Sequence, residues 1–375
     1  MTTAWTAAHV RLIDPRRFSE VPLVSSAEKG ALQVGRVYWD MWPIQSPDGR
    51  VARIRGRELW MALSAPDRGD PSLRHFEAKI HLLEHRSGGW HDFGPLLPDS
   101  LDRAAVYERE WAGSALFHDG CVTLYFTAAG SRERPGGYQQ RLWETTAALD
   151  ESGLPSGWCA PHPSVKDYGL HYTPADAHEG EAGKIKAFRD PAYFRDPDDG
   201  GEYLIFSASL AGSVSAFNGA VGAARKGAAG DWQLLPPLIA ADGVNNELER
   251  AHAVFHDGRY YVFWSTQRST FAPELRGAPN GLYGMVADSL FGDYRPLNGT
   301  GLVIANPQSE PFQTYSWFVD ASLQVCSFVD FWGLAGSVPE NRHFGGVPAP
   351  LLQLEIDGDA CGLVQGSDSI ARIAR

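Results

Sequence analysis

The sequence predicts an all-β protein folded as a five-bladed β-propeller with a central funnel-shaped pocket. Three observations lead there. Short strand-like runs follow one another between Gly, Pro and Asp, with almost no long stretch of helical period: 58–63 (ELWMAL), 122–127 (VTLYFT), 203–208 (YLIFSA), 260–265 (YYVFWS) and 281–287 (GLYGMVA). Turn markers stand near residues 48, 119, 198 and 257, roughly 60 to 80 residues apart, which suits a four-stranded blade with its loops. Asp40, Trp111, Asp190 and Glu249 each stand eight positions ahead of Asp48, Asp119, Asp198 and Asp257, the first Asp of each marker.

Each unit reads as a strand entering a hairpin, because Asp and Gly tolerate the positive φ that primed turns need. WDMWPIQSPDG opens the first unit, WAGSALFHDG the second, DPAYFRDPDDG the third and ERAHAVFHDG the fourth. A fifth, less regular unit starts near 313–317 and continues through 321–330. About five such units fit the chain, inside the roughly four-to-eight-blade range of propellers. No Pro-, Gly- or Ser-rich linker divides it, so residues 1–375 are expected to form one domain. The polar stretch 172–184 is expected to be a surface loop. In a radial architecture matching positions ring a common axis, so three carboxylates and a tryptophan converge on one pocket.

Composition narrows the partners. The formal charge is −12, against the basic face that a nucleic-acid backbone or an anionic membrane requires. No apolar run reaches the length of a membrane span, and MTTAWTAAHVRLIDP lacks the regions of a Sec signal peptide. A neutral ligand fits better, and 12 Trp, 13 Tyr and 18 Phe supply flat walls for sugar rings. Cys121, Cys159, Cys326 and Cys361 form no CxxC or CxxH pattern, so unpaired thiols are expected. His81, His85, His118, His171, His252 and His256 show no ligand spacing. GSVSAFNGAVG matches neither a nucleophile elbow nor a phosphate loop. The expectation is no cofactor and no metal.

Glycosyl transfer with retention needs a carboxylate nucleophile and a carboxylic acid about 5 to 5.5 Å apart. Asp40 and Glu249 are the natural pair. Asp40 lies between Trp39 and Trp42. Glu247 and Glu249 share one side of an extended chain, and a like charge raises a carboxyl pKa toward what a general acid needs. Arg189 beside Asp190 is expected to keep that carboxyl ionised, ready to hold sugar hydroxyls.

The blocks WDMWP (39–43), EWAGSA (110–115), FRDP (188–191), ELERAH (247–252) and QTYS (313–316) resemble, in order, those of the glycoside hydrolase family 68 fructosyltransferases. The resemblance implies a five-bladed propeller with a deep acidic pocket. It implies sucrose or fructo-oligosaccharides as substrates, glucose as leaving group, and sucrose, fructan or water as fructosyl acceptor. It casts Asp40 as nucleophile, Glu249 as acid/base and Asp190 as transition-state stabiliser. Trp39, Trp111 and Arg189 fall around the fructosyl unit, while Glu247, Arg250 and Tyr315 surround the acid/base and the glucosyl end. Family members act outside the cell, so the expected location is extracellular without a Sec signal, with the cytoplasm as the other option. Oligomeric state is left open.

Some positions depart from the family pattern. Ala112 follows Trp111 where many members carry a small hydroxyl residue. Gln267, with Arg268 beside it, stands where relatives commonly place a His or Arg toward the acceptor. Trp317 stands where a His is common, and is likewise expected on the acceptor side. Asn246 replaces the acidic residue that serves a calcium site in some relatives. A β-fructofuranosidase, another propeller furanosidase and a non-catalytic sugar-binding propeller are the competing readings.

Overall fold

The computed structural model describes residues 2–14, 18–25, 28, 30–87, 89–176, 184–333 and 343–364. Most of the polar stretch expected as a loop, 177–183, lies outside them.

Four-stranded antiparallel units follow one another along the chain. Blade 1 holds β1 (Arg36–Gln45), β2 (Arg57–Pro66), β3 (Lys79–Arg86) and β4 (Gly89–Pro95). Blade 2 holds β5 (Arg109–His118), β6 (Cys121–Ala129) and β7 (Gln140–Leu149), its outer edge paired by two short segments, Pro155–Ser156 and His162–Pro163. Blade 3 holds β8 (Phe188–Arg195), β9 (Glu202–Ser209), β10 (Asn218–Lys226) and β11 (Trp232–Asp242). Blade 4 holds β12 (Glu249–His256), β13 (Arg259–Thr266), β14 (Gly281–Ala287) and β15 (Leu302–Ala305). Blade 5 begins with β16 (Thr314–Val319) and β17 (Gln324–Trp332). Its third position is shared by β18 (His343–Pro348) and β19 (Leu352–Asp357), and β20 (Ala360–Leu363) closes it.

The first strands of the blades, β1, β5, β8, β12 and β16, touch one another in sequence, and β16 touches β1 again. That closes the ring and puts these five strands at the axis.

Each axial strand carries a β-bulge near its start. Pairing skips between Trp39 and Trp42, Trp111 and Gly113, Arg189 and Ala192, Glu249 and His252, and Tyr315 and Phe318. Four of the bulges place a non-glycine residue in the left-handed region: Asp40 (φ 46), Asp190 (φ 59), Arg250 (φ 54) and Ser316 (φ 59). A bulge re-aims its side chain off the sheet, and so many strained residues on one axis mark a functional centre. In blade 2 the bulge needs Gly113, where a Cβ would stand 1.9 Å from the Tyr125 carbonyl oxygen.

The bulges correct the eight-residue repeat. Trp39, Trp111, Arg189, Glu249 and Tyr315 occupy equivalent places. Asp40, Ala112, Asp190, Arg250 and Ser316 occupy the next. Blades 2 and 4 turn through two residues, Asp119–Gly120 (φ 49 and 78) and Asp257–Gly258 (φ 46 and 75), the type I′ pattern. Blades 1 and 3 use longer turns, closed by Ser46 N–H to Arg50 O (2.9 Å) and Asp196 N–H to Gly201 O (2.8 Å). The longer turns shift the Asp marker by one place, so equal spacing in sequence is not equal position in space.

The N-terminal segment runs outside the ring. Thr3–Ala4 pairs in parallel with Ile239–Ala240 on the outer strand of blade 3, and Ser19–Glu20 with Ile304–Ala305 on that of blade 4. Between them Trp5 buries its ring edge-on against Trp264 and donates Nε1–H to Thr300 O (2.9 Å). Gln313 then ties the segment to blade 5, accepting from Val24 N–H (3.1 Å) and donating to Pro22 O (2.8 Å). Two sheet edges that would invite strand addition are thereby covered. All four cysteines are unpaired thiols.

Candidate active site

At the end of the axis where the first strands begin, a cavity of about 390 Å³ is lined by Trp39, Asp40, Trp111, Arg189, Asp190, Glu247, Glu249 and Gln267. Eight of the ten predicted residues therefore meet in one place, drawn from four blades. Tyr315 from blade 5 joins them by donating its hydroxyl to Glu249 Oε2.

Arg189 ties the acidic groups together. Its Nη2 bonds Glu247 Oε2 and lies 3.6 Å from Glu249 Oε1, while its Nε lies 3.4 Å from Asp190 Oδ2. Glu247 precedes β12, in the link that enters it, yet turns to the same guanidinium as Glu249. Asp190 also accepts from Ser207 Oγ (3.2 Å) and from Arg250 N–H (3.3 Å). Its own N–H donates to Thr127 Oγ1 (2.8 Å), whose hydroxyl donates to Ala112 O (2.9 Å), so blade 2 sets the blade 3 bulge.

Burial dominates the electrostatics. It raises Asp40, and the Glu249 charge adds to it, against the pull of Arg250, the Ser316 hydroxyl and Arg74. Asp190 is pushed up to about 7 by burial, which outweighs the lowering by Arg189, with Glu249 and Asp40 adding repulsion. The expectation that Arg189 keeps Asp190 fully ionised at neutral pH is thus corrected: desolvation wins. Glu247 is likewise pushed up to about 7, by burial first, despite Arg189.

These shifts make stability pH-dependent. The ordinary values are 3.8 for Asp190 and 4.5 for Glu247, and the folded values are about 7. Between them the native protein holds more protons than the unfolded chain, so these groups lower stability as pH rises from about 4 to 7. The unfolding free energy of Asp190→Asn is therefore expected to gain on that of the wild type between pH 5 and pH 8, by on the order of 1–3 kcal/mol. Urea melts at both pH values measure it; an unchanged difference between the two proteins would refute the shift.

Arg250 is corrected too. Expected at the glucosyl end, it is 2% exposed and faces the floor. Nη1 and Nη2 both donate to Met41 O at 3.1 Å, Nη1 reaches Ser316 Oγ at 3.4 Å, and the guanidinium lies 5.4 Å from the Trp42 ring centre and 5.5 Å from that of Phe318. The left-handed bulge turns this side chain down while leaving Glu249 facing the cavity. Arg250 therefore clamps the residue after Asp40. Arg250→Met is expected to lower kcat without a matching rise in KM and to cost about 1–3 kcal/mol, because the Met41 carbonyl loses both guanidinium donors inside the protein and keeps only the weak Cys326 thiol, 3.4 Å away. A KM-only effect would contradict that role. Trp317, expected on the acceptor side, is fully buried, edge-on to Tyr315 and away from the cavity lining.

The structure adds residues that pattern reading missed. His75 lines the cavity from the 3₁₀ turn Pro71–Phe76, accepts the Trp111 Nε1–H on its carbonyl (3.0 Å), and has its ring held neutral, first by burial. Arg74 stacks on Trp39, its guanidinium 5.5 Å from the ring centre. Gln140 accepts from Phe188 N–H (3.0 Å) and sends its amide to Lys186 O (3.1 Å). Gln140 begins a third strand, and Arg74 and His75 lie in a connection between strands, where no repeat marks them.

A five-bladed propeller with four carboxylates, Asp40, Asp190, Glu247 and Glu249, at its axial mouth is the arrangement of a carbohydrate-cleaving enzyme. The comparisons define which kind. The levansucrase/invertase model of glycoside hydrolase family 68 matches residues 2–229 and 214–368. The chain belongs to that family. It is 29% identical to a levansucrase of Rahnella aquatilis over 95% of this chain and 93% of that protein. With a levansucrase of Zymomonas mobilis the identity is 33% over 85% and 80%. Among solved structures, an inulosucrase from Halalkalicoccus jeotgali bound to kestose superposes with a TM-score of 0.85 at 33% identity, covering 97% of this chain and 95% of that one. A levansucrase from Gluconacetobacter diazotrophicus shares the fold, with a TM-score of 0.81 at 22% identity.

Proposed function

We propose that this protein cleaves sucrose and transfers the fructosyl unit to sucrose, a growing fructan or water, with retention of configuration. Asp40 attacks the anomeric carbon of the fructosyl unit as the bond to the glucosyl oxygen breaks. The Glu249 carboxyl gives its proton to that oxygen, and glucose leaves. An acceptor hydroxyl then gives its proton back to Glu249 while its oxygen displaces Asp40. Asp190 holds the fructosyl hydroxyls, Trp39 and Trp111 wall the ring, Arg189, Glu247 and Tyr315 orient Glu249, and Gln267 faces the acceptor. The observation that carries the reading is the meeting of Asp40, Asp190 and Glu249, from three blades, around Arg189 and Tyr315.

The test is incubation with concentrated sucrose, following free glucose and free fructose separately. Glucose in excess of fructose means transfer. Equal amounts mean hydrolysis in the same pocket. Release of neither sugar overturns the proposal. Gln267→Ala is expected to change the glucose-to-fructose ratio at least about two-fold while total cleavage stays within a few-fold; an unchanged ratio would remove Gln267 from the acceptor side.

A further inference from the structure

A cavity of about 640 Å³ opens at the far end of the axis, opposite the catalytic mouth. Its size falls within the roughly 300–1,000 Å³ of small-molecule sites. Gln45, Arg195 and His256, which end β1, β8 and β12, line it together with Val319, which ends β16. Four blades therefore build it, as they build the catalytic pocket, yet the two cavities share no lining residue. Protein fills the layer between them. His252 lines the far cavity, accepts from Val319 N–H on Nε2 (2.9 Å) and donates from Nδ1 to Arg250 O (2.8 Å).

The unpaired polar atoms of this lining are acceptors. Gln45 is 5% exposed, and its amide nitrogen donates to Tyr193 O at 3.0 Å. That leaves its Oε1 without a partner among the described residues, and this atom is not sealed off. Asp196 is 8% exposed, and its Oδ1 accepts from the Tyr260 hydroxyl (2.6 Å) and from Asp198 N–H (2.9 Å). Its Oδ2 likewise has no partner among the described residues and is not sealed off. A carboxylate oxygen buried to that degree costs free energy until a donor reaches it.

Tyr193, Phe255 and Phe318 set aromatic rings among these acceptors. A carboxylate beside aromatic rings suits an organic ammonium ion, which pairs with the one and lies against the faces of the others. The charges agree. Asp48, Asp196 and Asp257 outnumber Arg50 and Arg195 in the lining, with Arg50 Nε 3.8 Å from Asp48 and His256 Nε2 3.5 Å from Asp257. A metal ion fits less well. Calcium takes roughly six to eight oxygen ligands, and among the described residues no group of three or more His, Cys, Asp or Glu side chains is placed to hold one.

We propose that this far cavity binds a short linear diamine, with one ammonium group on Asp196 and the other on Gln45. Gln45 is bonded to Tyr193, three residues before Asp196, which is about 10 Å along a strand. Two ammonium groups joined by a short aliphatic chain bridge that gap, each adding a hydrogen bond of about 2.9 Å, and the chain lies on the rings.

The test compares 1,4-diaminobutane with 1,4-butanediol, its neutral counterpart, by calorimetric titration of the wild type and of Asp196→Asn, with and without calcium chloride. The diamine is expected to bind the wild type at least about ten-fold more tightly than the diol, and its Kd to rise about ten-fold or more in Asp196→Asn. No measurable diamine binding, equal affinity for the diol, an unchanged Kd in the variant, or displacement by calcium overturns the site. Asn keeps the oxygen that takes the Tyr260 and Asp198 donors, a thermal melt verifies the fold, and the diamine–diol comparison needs no variant. The catalytic pocket is acidic too, so sucrose binding to Asp40→Asn is measured with and without saturating diamine. An unchanged sucrose Kd is expected, and competition would put the diamine in the catalytic pocket and overturn the proposal. Sugar turnover enters none of these measurements, so this site and the function proposed above fail separately.

Discussion

Asp40→Asn is expected to lower glucose release from sucrose by at least about 10⁴-fold, because no other group can form the covalent fructosyl intermediate. Asn is chosen because Asp40 sits at φ 46, a conformation that Asn accepts and Ala resists by about 1–2 kcal/mol. Stability is expected to hold or rise. The burial and the Glu249 charge that raise the Asp40 pKa press on a carboxylate that the variant no longer has. Steady-state glucose release and a thermal melt on one preparation decide it. Activity within ten-fold of wild type would remove Asp40 from the nucleophile's role.

Glu249→Gln is expected to cost about 10²–10⁴-fold, the usual contribution of a positioned acid, and to show a signature that Asp40→Asn lacks. A fructosyl donor whose leaving group departs without a proton, such as the fluoride, should be consumed by the Glu249 variant at a rate much nearer the wild type's. The Asp40 variant should stay inactive on both donors. Gln keeps an oxygen for the Tyr315 hydroxyl that now bonds Glu249 Oε2, so loss of the acid is tested with little loss of placement. Equal defects on sucrose and on the fluoride would refute the acid's role.

The fold and most of the pocket could be read from residues alone because both rest on local chemistry. Asp-Gly pairs mark I′ turns wherever they stand, and Asp119–Gly120 and Asp257–Gly258 adopt them. Register could not be read so well. A bulge leaves no fixed residue signature, so Asp40 and Glu249 looked equivalent, although Glu249 aligns with Trp39. Arg250 and Trp317 were misplaced for the same reason: one step along a bulged strand exchanges the cavity for the core. Arg74, His75 and Gln140 escaped notice because their positions depend on how blades 1 and 2 pack, which is long-range information. Desolvation was the other blind spot, since a neighbouring Arg189 is visible in sequence and the burial that outweighs it at Asp190 is not.

The strand pairs at 3–4 and 19–20 bear on the chemistry from the far rim of the molecule. They grip the outer edges of blades 3 and 4, and those two blades bring Arg189 and Asp190 against Glu247 and Glu249. One stretch of chain thus works as a hoop across the joint at which the acid half of the reaction is assembled, while Asp40 belongs to blade 1, which neither pair touches. Slackening the hoop would loosen proton delivery and, through the Arg250 guanidinium of blade 4 on the Met41 carbonyl, the seat of the nucleophile as well, so one contact at the rim bears on both halves of the double displacement.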